Sequence, residues 1–151
     1  MIYMNKDITY VVLADDDEDD RLFFTEAFEE LKITTKVETY EDGVALMDAL
    51  SADDALIPNI LFLDLNMPKK SGLECLKEIK KSKRFQDMAV AIYSTSASEE
   101  DIENTFVNGA NIYIKKPSDF NTLKKILSDV VTVNWQYHTS GLNRDNFLLR
   151  L

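Results

Sequence analysis

Short β-branched runs alternate along the chain with stretches whose apolar residues return at helical spacing. Thr9-Tyr10-Val11-Val12-Leu13-Ala14 predicts a strand, and Phe24, Ala27, Phe28 and Leu31 then fall on one face of a helix. A second unit runs from Thr35 to Tyr40 and on through Asp42 to Leu50. A third joins Asn59-Ile60-Leu61-Phe62-Leu63-Asp64 to a helix carrying Leu73, Leu76 and Ile79. The third strand is apolar throughout until its terminal acid, which predicts a central position with both faces covered. Met88 to Tyr93 is the fourth strand and Glu99 to Val107 the fourth helix. Ala110 to Lys115, announced by the turn residue Gly109, is the fifth strand. Phe120, Leu123, Ile126, Leu127, Val130 and Val131 give the last helix one apolar stripe.

Five consecutive strand–helix units with short connections imply a doubly wound α/β fold. Each parallel connection needs a right-handed helical crossover, so helices cover both faces of one parallel sheet. The remainder, 132–151, breaks the pattern with Trp135, Tyr137, Gly141 and the apolar end Phe147-Leu148-Leu149. It predicts an ordered extension that either packs on its own domain or forms an interface. No internal repeat or low-complexity tract interrupts the chain.

Composition narrows the function. The 151 residues are 45% apolar, enough for one ordinary domain with a core. Seventeen Lys and Arg face 27 Asp and Glu, for a formal net charge of −10, which disfavours contact with nucleic acid or an anionic membrane surface. No apolar run approaches bilayer length, and the opening segment Met1–Tyr10 lacks the apolar stretch of a secretory signal, so a cytoplasmic protein is expected. The sole cysteine, Cys75, and sole histidine, His138, cannot assemble a Cys/His metal site. A bound metal would need oxygen ligands.

Such ligands gather where the strands end. The first strand runs into Asp15-Asp16-Asp17-Glu18-Asp19-Asp20, and the third ends in Asp64-Leu65-Asn66-Met67-Pro68. Strand C-termini of an open α/β sheet share one edge, so Asp15, Asp16 and Asp64 converge there. Their mutual repulsion calls for a hard divalent cation, for which Mg²⁺ is suited. A helix start accounts for Asp17 to Asp20. It does not account for Asp15 and Asp16, or for Asp64 after four apolar residues, where an unpartnered charge is costly. The fourth strand brings Ser94-Thr95-Ser96 to the same edge and the fifth brings Lys115-Lys116-Pro117. A hydroxyl, a lysine and a metal suit a phosphoryl group passing in line to a carboxylate, which makes Asp64 a candidate nucleophile. Ser96 and Ser98 also fit a helix cap, and the lysine pair a solvated strand end.

Over about residues 8–131 these motifs resemble the receiver domain of two-component response regulators. The acid pair matches Asp15-Asp16, the phospho-acceptor motif Leu63 to Pro68, the switch hydroxyl Ser94, and the closing motif Gly109 to Pro117. The family's lysine directly precedes the proline, which selects Lys116. The resemblance implies a flavodoxin-like, CheY-like (βα)5 sheet of strand order 2-1-3-4-5. It also implies phosphorylation of Asp64, with Mg²⁺ held by Asp15, Asp16, Asp64 and the backbone carbonyl of Asn66. Lys116 and Ser94 would contact the phosphoryl oxygens, across a cis Lys116–Pro117 bond. Tyr113 would be an aromatic switch that turns inward on phosphorylation and alters the surface formed by the fourth helix, fifth strand and fifth helix. The implied partners are a sensor histidine kinase or phosphotransfer protein, a downstream protein of unknown identity, and a second copy of the chain as a candidate homodimer. The short remainder offers no DNA-binding output module. The motifs and the aromatic tail are closest to the single-domain subgroup paired with phytochrome-type or other sensor kinases.

Three other readings compete. Asp15, Asp17, Asp19, Arg21 and Glu26 fall on EF-hand ligand positions, but the glycine position holds Asp20 and a strand precedes the loop. A phosphatase of the haloacid dehalogenase type would need Thr or Val where Asp19 stands. A receiver fold working without phosphorylation would not need the intact set Asp15, Asp16, Asp64, Ser94 and Lys116. His138 lies outside any four-helix phosphotransfer pattern, which points to packing or surface exposure for it.

Overall fold

The computed structural model describes residues 8–132 and 147–149. Its strands are β1 (Thr9–Ala14), β2 (Thr35–Tyr40), β3 (Ile60–Leu63), β4 (Ala89–Ser94), β5 (Ile112–Lys115) and β6 (Leu148–Leu149). The helices are α1 (Glu18–Glu30), α2 (Gly43–Leu50), α3 (Gly72–Lys81), α4 (Glu99–Val107) and α5 (Phe120–Val131). The sheet order is β2-β1-β3-β4-β5-β6 with every pairing parallel, so the expected 2-1-3-4-5 sheet is present. One short strand is added at its β5 edge.

Strand alternation assigns the two faces. Val12, Ala14, Leu61, Leu63, Val90, Ile92 and Tyr113 pack with Leu46 and Met47 of α2, Leu76 and Ile79 of α3 and Ile102 of α4. Val11, Leu13, Ile60, Phe62, Ala91 and Ile114 turn the other way, onto Phe24 and Phe28 of α1 and Leu123, Ile126 and Leu127 of α5. β3 lies between β1 and β4 with all four residues buried, as its unbroken apolar run requires.

Two strands are shorter than the sequence pattern suggests, because asparagine side chains take over the ladder. Asn59 Oδ1 accepts from Tyr10 N at 2.7 Å, and Asn111 Oδ1 accepts from Val90 N at 2.8 Å. Met88 is likewise outside β4, its N–H turned back to the carbonyl of Phe85 in a 3₁₀ turn.

Helix starts follow from capping chemistry. Asp17 accepts from the N–H groups of Asp19 and Asp20, Asp42 caps α2, Ser98 caps α4 and Asp119 caps α5. Ser71 and Glu74 form a reciprocal capping box on α3. With α1 beginning at Glu18, directly after a strand, the acidic run is a helix start and not a calcium loop.

Most of the tail, with Trp135, Tyr137, His138 and Gly141, lies outside the described residues. Of what is described, Phe147 is buried against Phe106 and Tyr113, with ring centroids 5.3 and 6.2 Å apart, and Leu148 pairs with Tyr113.

Candidate functional site

Backbone bonds that run past the strand ends bring the candidate residues together. Asp64 N donates to Ala14 O at 3.0 Å, placing the end of β3 beside the acid pair that follows β1. Lys116 N donates to Ser94 O at 2.8 Å, tying the lysine to the hydroxyl at the end of β4. Asp15 is held from both sides. Its Oδ1 accepts from Asp17 N at 2.9 Å and its carbonyl accepts from Arg21 Nη1 at 2.7 Å.

Carboxylate oxygens of Asp15, Asp16 and Asp64 lie within 4.8 Å of one another, with Asp15 and Asp64 buried and Asp16 exposed. Lys116 Nζ sits 2.8 Å from Asp15 Oδ2, 2.8 Å from Asp20 Oδ2 and 3.5 Å from Asp64 Oδ2, with only 8% of its side chain exposed. The lysine chosen by spacing is therefore the one in the cluster, while Lys115 is exposed. Ser94 is fully buried, and its Oγ accepts from Ser96 N at 3.2 Å. Asn66 N donates to Asp64 Oδ1 at 3.4 Å.

Burial dominates the electrostatics. Desolvation pushes the Asp64 carboxyl up to about 6, against the pull of Lys116 and with the added repulsion of Asp15. Asp15 is also raised, again chiefly by desolvation. Burial alone would lower Lys116, but its contacts with Asp15 and Asp20 outweigh this and raise it, so it stays an ammonium.

The donor set fits a divalent cation. Asp15 Oδ2 is buried and receives no hydrogen bond; the lysine ammonium 2.8 Å away approaches it as a charge without donor alignment. A carboxylate oxygen that is buried, unbonded and next to two further carboxylates has the chemistry of a hard-ion ligand.

Tyr113 is turned inward. It is fully buried, and its hydroxyl donates to Ser96 O at 2.7 Å. The resemblance ties that orientation to phosphorylation; in this structure the hydrogen bond and the cover of Phe147 suffice to hold it. Lys116 also departs from the family expectation. No cis peptide occurs among the described residues, so the Lys116–Pro117 bond is trans, the form favoured by about 0.5–1 kcal/mol at X–Pro bonds.

Ser98 is a cap, accepting from Asp101 N at 3.1 Å, whereas Ser96 Oγ donates to Asp101 Oδ2 at 2.7 Å and steadies the β4–α4 loop. Two residues at the site escaped sequence reasoning. Asp20 is a lysine partner in addition to being part of a helix start. Gly72 packs so close that an added Cβ would lie 2.1 Å from Asp64 O. The motif carried a signal for Gly72 in its place four residues after Pro68; Asp20 had none separable from helix-start acidity.

Comparison with known proteins identifies the family. The response regulator receiver domain profile matches residues 11–128, and the chain belongs to that family, a signalling domain of two-component systems. It is 32% identical over 123 residues to the probable methanogenesis regulatory protein FilR2 of Methanothrix harundinacea, covering 80% of this chain and 79% of that one. Among solved structures it is similar to the phosphorylated cyanobacterial phytochrome response regulator RcpA, with 31% identity and a TM-score of 0.75 over 81% of this chain and 90% of that one. The Mn²⁺-bound form of response regulator Rcp1 matches with 28% identity and a TM-score of 0.73 over 81% and 91%. Among the described residues no helix is long and apolar enough to cross a membrane.

Proposed function

We propose that Asp64 accepts a phosphoryl group from a sensor histidine kinase or phosphotransfer protein, and that the chain signals through the protein contacts this changes. The observation that carries the reading is the convergence of Asp15, Asp16 and Asp64 around a buried, unbonded carboxylate oxygen, with the Lys116 ammonium 3.5 Å from Asp64.

In this reading an Asp64 carboxylate oxygen attacks phosphorus in line, the donor's phosphorus–nitrogen bond breaks, and an acyl phosphate forms. Asp15, Asp16, Asp64 and the Asn66 carbonyl would hold Mg²⁺, whose bound charge offsets that of the carboxylates and the incoming phosphoryl oxygens. Lys116 supplies a fixed positive charge and Ser94 a hydroxyl donor to those oxygens. The pocket's burial keeps Asp64 partly protonated without a cation, so one at the acid pair would favour the nucleophilic carboxylate. Hydrolysis of the acyl phosphate then returns Asp64 and inorganic phosphate, so the chain promotes only its own phosphorylation and dephosphorylation.

Output runs through the region around Tyr113. Its hydroxyl bonds to the β4–α4 loop, and its ring packs against Phe147, so a shift of that loop toward a phosphoryl group reaches both α4 and the β5 edge. RcpA and Rcp1 are named as response regulators, RcpA of a phytochrome, and a phytochrome-type kinase is the partner class we infer on that likeness. A second copy of the chain is a further candidate partner. A cytoplasmic setting belongs to the same reading, with Cys75 a buried free thiol.

The test is intact mass after incubation with acetyl phosphate. One phosphoryl adduct that needs both Mg²⁺ and Asp64 supports the reading; an adduct that survives in Asp64→Ala overturns it. Turnover of small phosphomonoesters would favour the phosphatase reading instead.

A further inference from the structure

The Lys116 ammonium has three donors and three carboxylates around it, yet it treats them differently. Its hydrogen bond with good alignment goes to Asp20 Oδ2 at 2.8 Å. Asp15 Oδ2, equally near, receives no aligned donor, and Asp64 Oδ2 is 3.5 Å away. Asp15 and Asp64 belong to the carboxylate cluster that could hold a cation; Asp20 does not.

Asp20 is also well placed to be a fixed anchor. It sits in the first turn of α1, where its own backbone N–H is bound by the Asp17 cap at 3.2 Å. Its side chain is 30% exposed, so keeping it ionised costs less than burying another acid. The lysine is enclosed, with the Tyr93 ring centroid 5.4 Å from Nζ, and has little room to leave.

We propose that Asp20 is a positioning residue that takes the aligned hydrogen bond of the Lys116 ammonium, so that Asp15 shares the ammonium instead of holding it alone and Asp64 stays 3.5 Å from it, which leaves both carboxylates able to take a divalent cation. This rests on the cation-and-phosphoryl reading of the pocket. Without Asp20, the ammonium's remaining neighbours are the same two carboxylates, and lysine and cation compete for them. With Asp20, lysine and cation occupy the pocket together, the arrangement that phosphoryl transfer to Asp64 requires.

The experiment is calorimetric titration of the full chain with Mg²⁺, free of any phosphoryl donor, in a cycle of Asp20→Asn and Lys116→Met. Folding of each variant is checked by circular dichroism. Asp20→Asn is expected to weaken Mg²⁺ about fivefold, the size of a modest coupling between sites. Asp20→Glu is expected to restore the affinity. On the Lys116→Met background, which has no ammonium to position, Asp20→Asn is expected to have less than about a twofold effect. Equal weakening in both backgrounds would mean that Asp20 acts on the ion directly, as a charge or a ligand, and would overturn the proposal. So would an unchanged affinity in Asp20→Asn, or a failure of Asp20→Glu to restore it. Failure of the phosphoryl reading is distinguishable, since it shows as the absence of an Asp64-dependent acetyl phosphate adduct whatever the titrations give.

Discussion

Replacing the acceptor acid with its neutral isostere, Asp64→Asn, should stabilise the protein when divalent ions are removed. The Asp64 carboxyl ordinarily titrates at 3.8 and is raised to about 6 here, first by desolvation and then by Asp15, with Lys116 pulling the other way. An acid whose folded value lies above its unfolded value binds its proton more tightly when folded. Its contribution is therefore fully present below about pH 4 and is lost as pH rises through about 6. At about 1.4 kcal/mol per tenfold, the ionised carboxylate costs the folded state about 3 kcal/mol at pH 7.5 and about half of that at pH 5. Asn carries no charge to desolvate, and because the pull of Lys116 is already contained in that net figure, the gain at pH 7.5 should be about 2–3 kcal/mol. Urea denaturation in a chelator at the two pH values reads the difference. A variant less stable than wild type at pH 7.5, or a difference that does not shrink toward pH 5, would refute the reasoning. Saturating Mg²⁺ should narrow or reverse the gap, because only the wild type keeps the full carboxylate set.

Other expectations concern the frame of the pocket. Gly72→Ala puts a methyl group 2.1 Å from Asp64 O and 2.8 Å from Leu65 Cα, so the acceptor loop must shift; urea denaturation should show a loss of about 1–3 kcal/mol, and adduct yield at Asp64 should fall. Tyr113→Phe removes the hydrogen bond to Ser96 O at a cost of about 1 kcal/mol, with the acetyl phosphate labelling rate retained, because the hydroxyl bonds to the loop and not to Asp64. Deleting residues 135–151 strips Phe147 from Phe106 and Tyr113 and β6 from the edge of β5. Labelling of Asp64 should persist and self-association, read by size-exclusion chromatography with light scattering, should change; loss of labelling would show that the tail supports the pocket.

Most of the framework was legible because local pattern and global fold agree. Thr9–Ala14 and Thr35–Tyr40 are strands over the span their β-branched runs predict, and Glu99–Val107 is a helix over its predicted length. The faults arise where a side chain imitates backbone, as Asn59 and Asn111 do in trimming β3 and β5. The gathering of Asp15, Asp16 and Asp64 with the Ser94–Ser96 and Lys115–Lys116 stretches followed from the rule that parallel strands end on one edge, and the resemblance to the family singled out Ser94 and Lys116 within them. What the pattern hid was doubled function. Asp20 has the sequence context of a helix start and is one, while its side chain holds a lysine 96 residues away. Phe147 belongs to an apolar end whose destination, the gap beside Tyr113, depends on how the tail returns along β5 and not on any periodicity of its own. The inward Tyr113 and the trans Lys116–Pro117 bond are conformational choices that residue identity leaves open.

The claim that Asp64 is the acceptor is tested most directly by locating the phosphoryl group. After reaction with acetyl phosphate and Mg²⁺, borohydride reduction of the acyl phosphate followed by peptide mass spectrometry should mark position 64 alone, at up to one group per chain. A mark on Asp15, Asp16 or Asp20, or an adduct on a serine that resists reduction, would contradict the account.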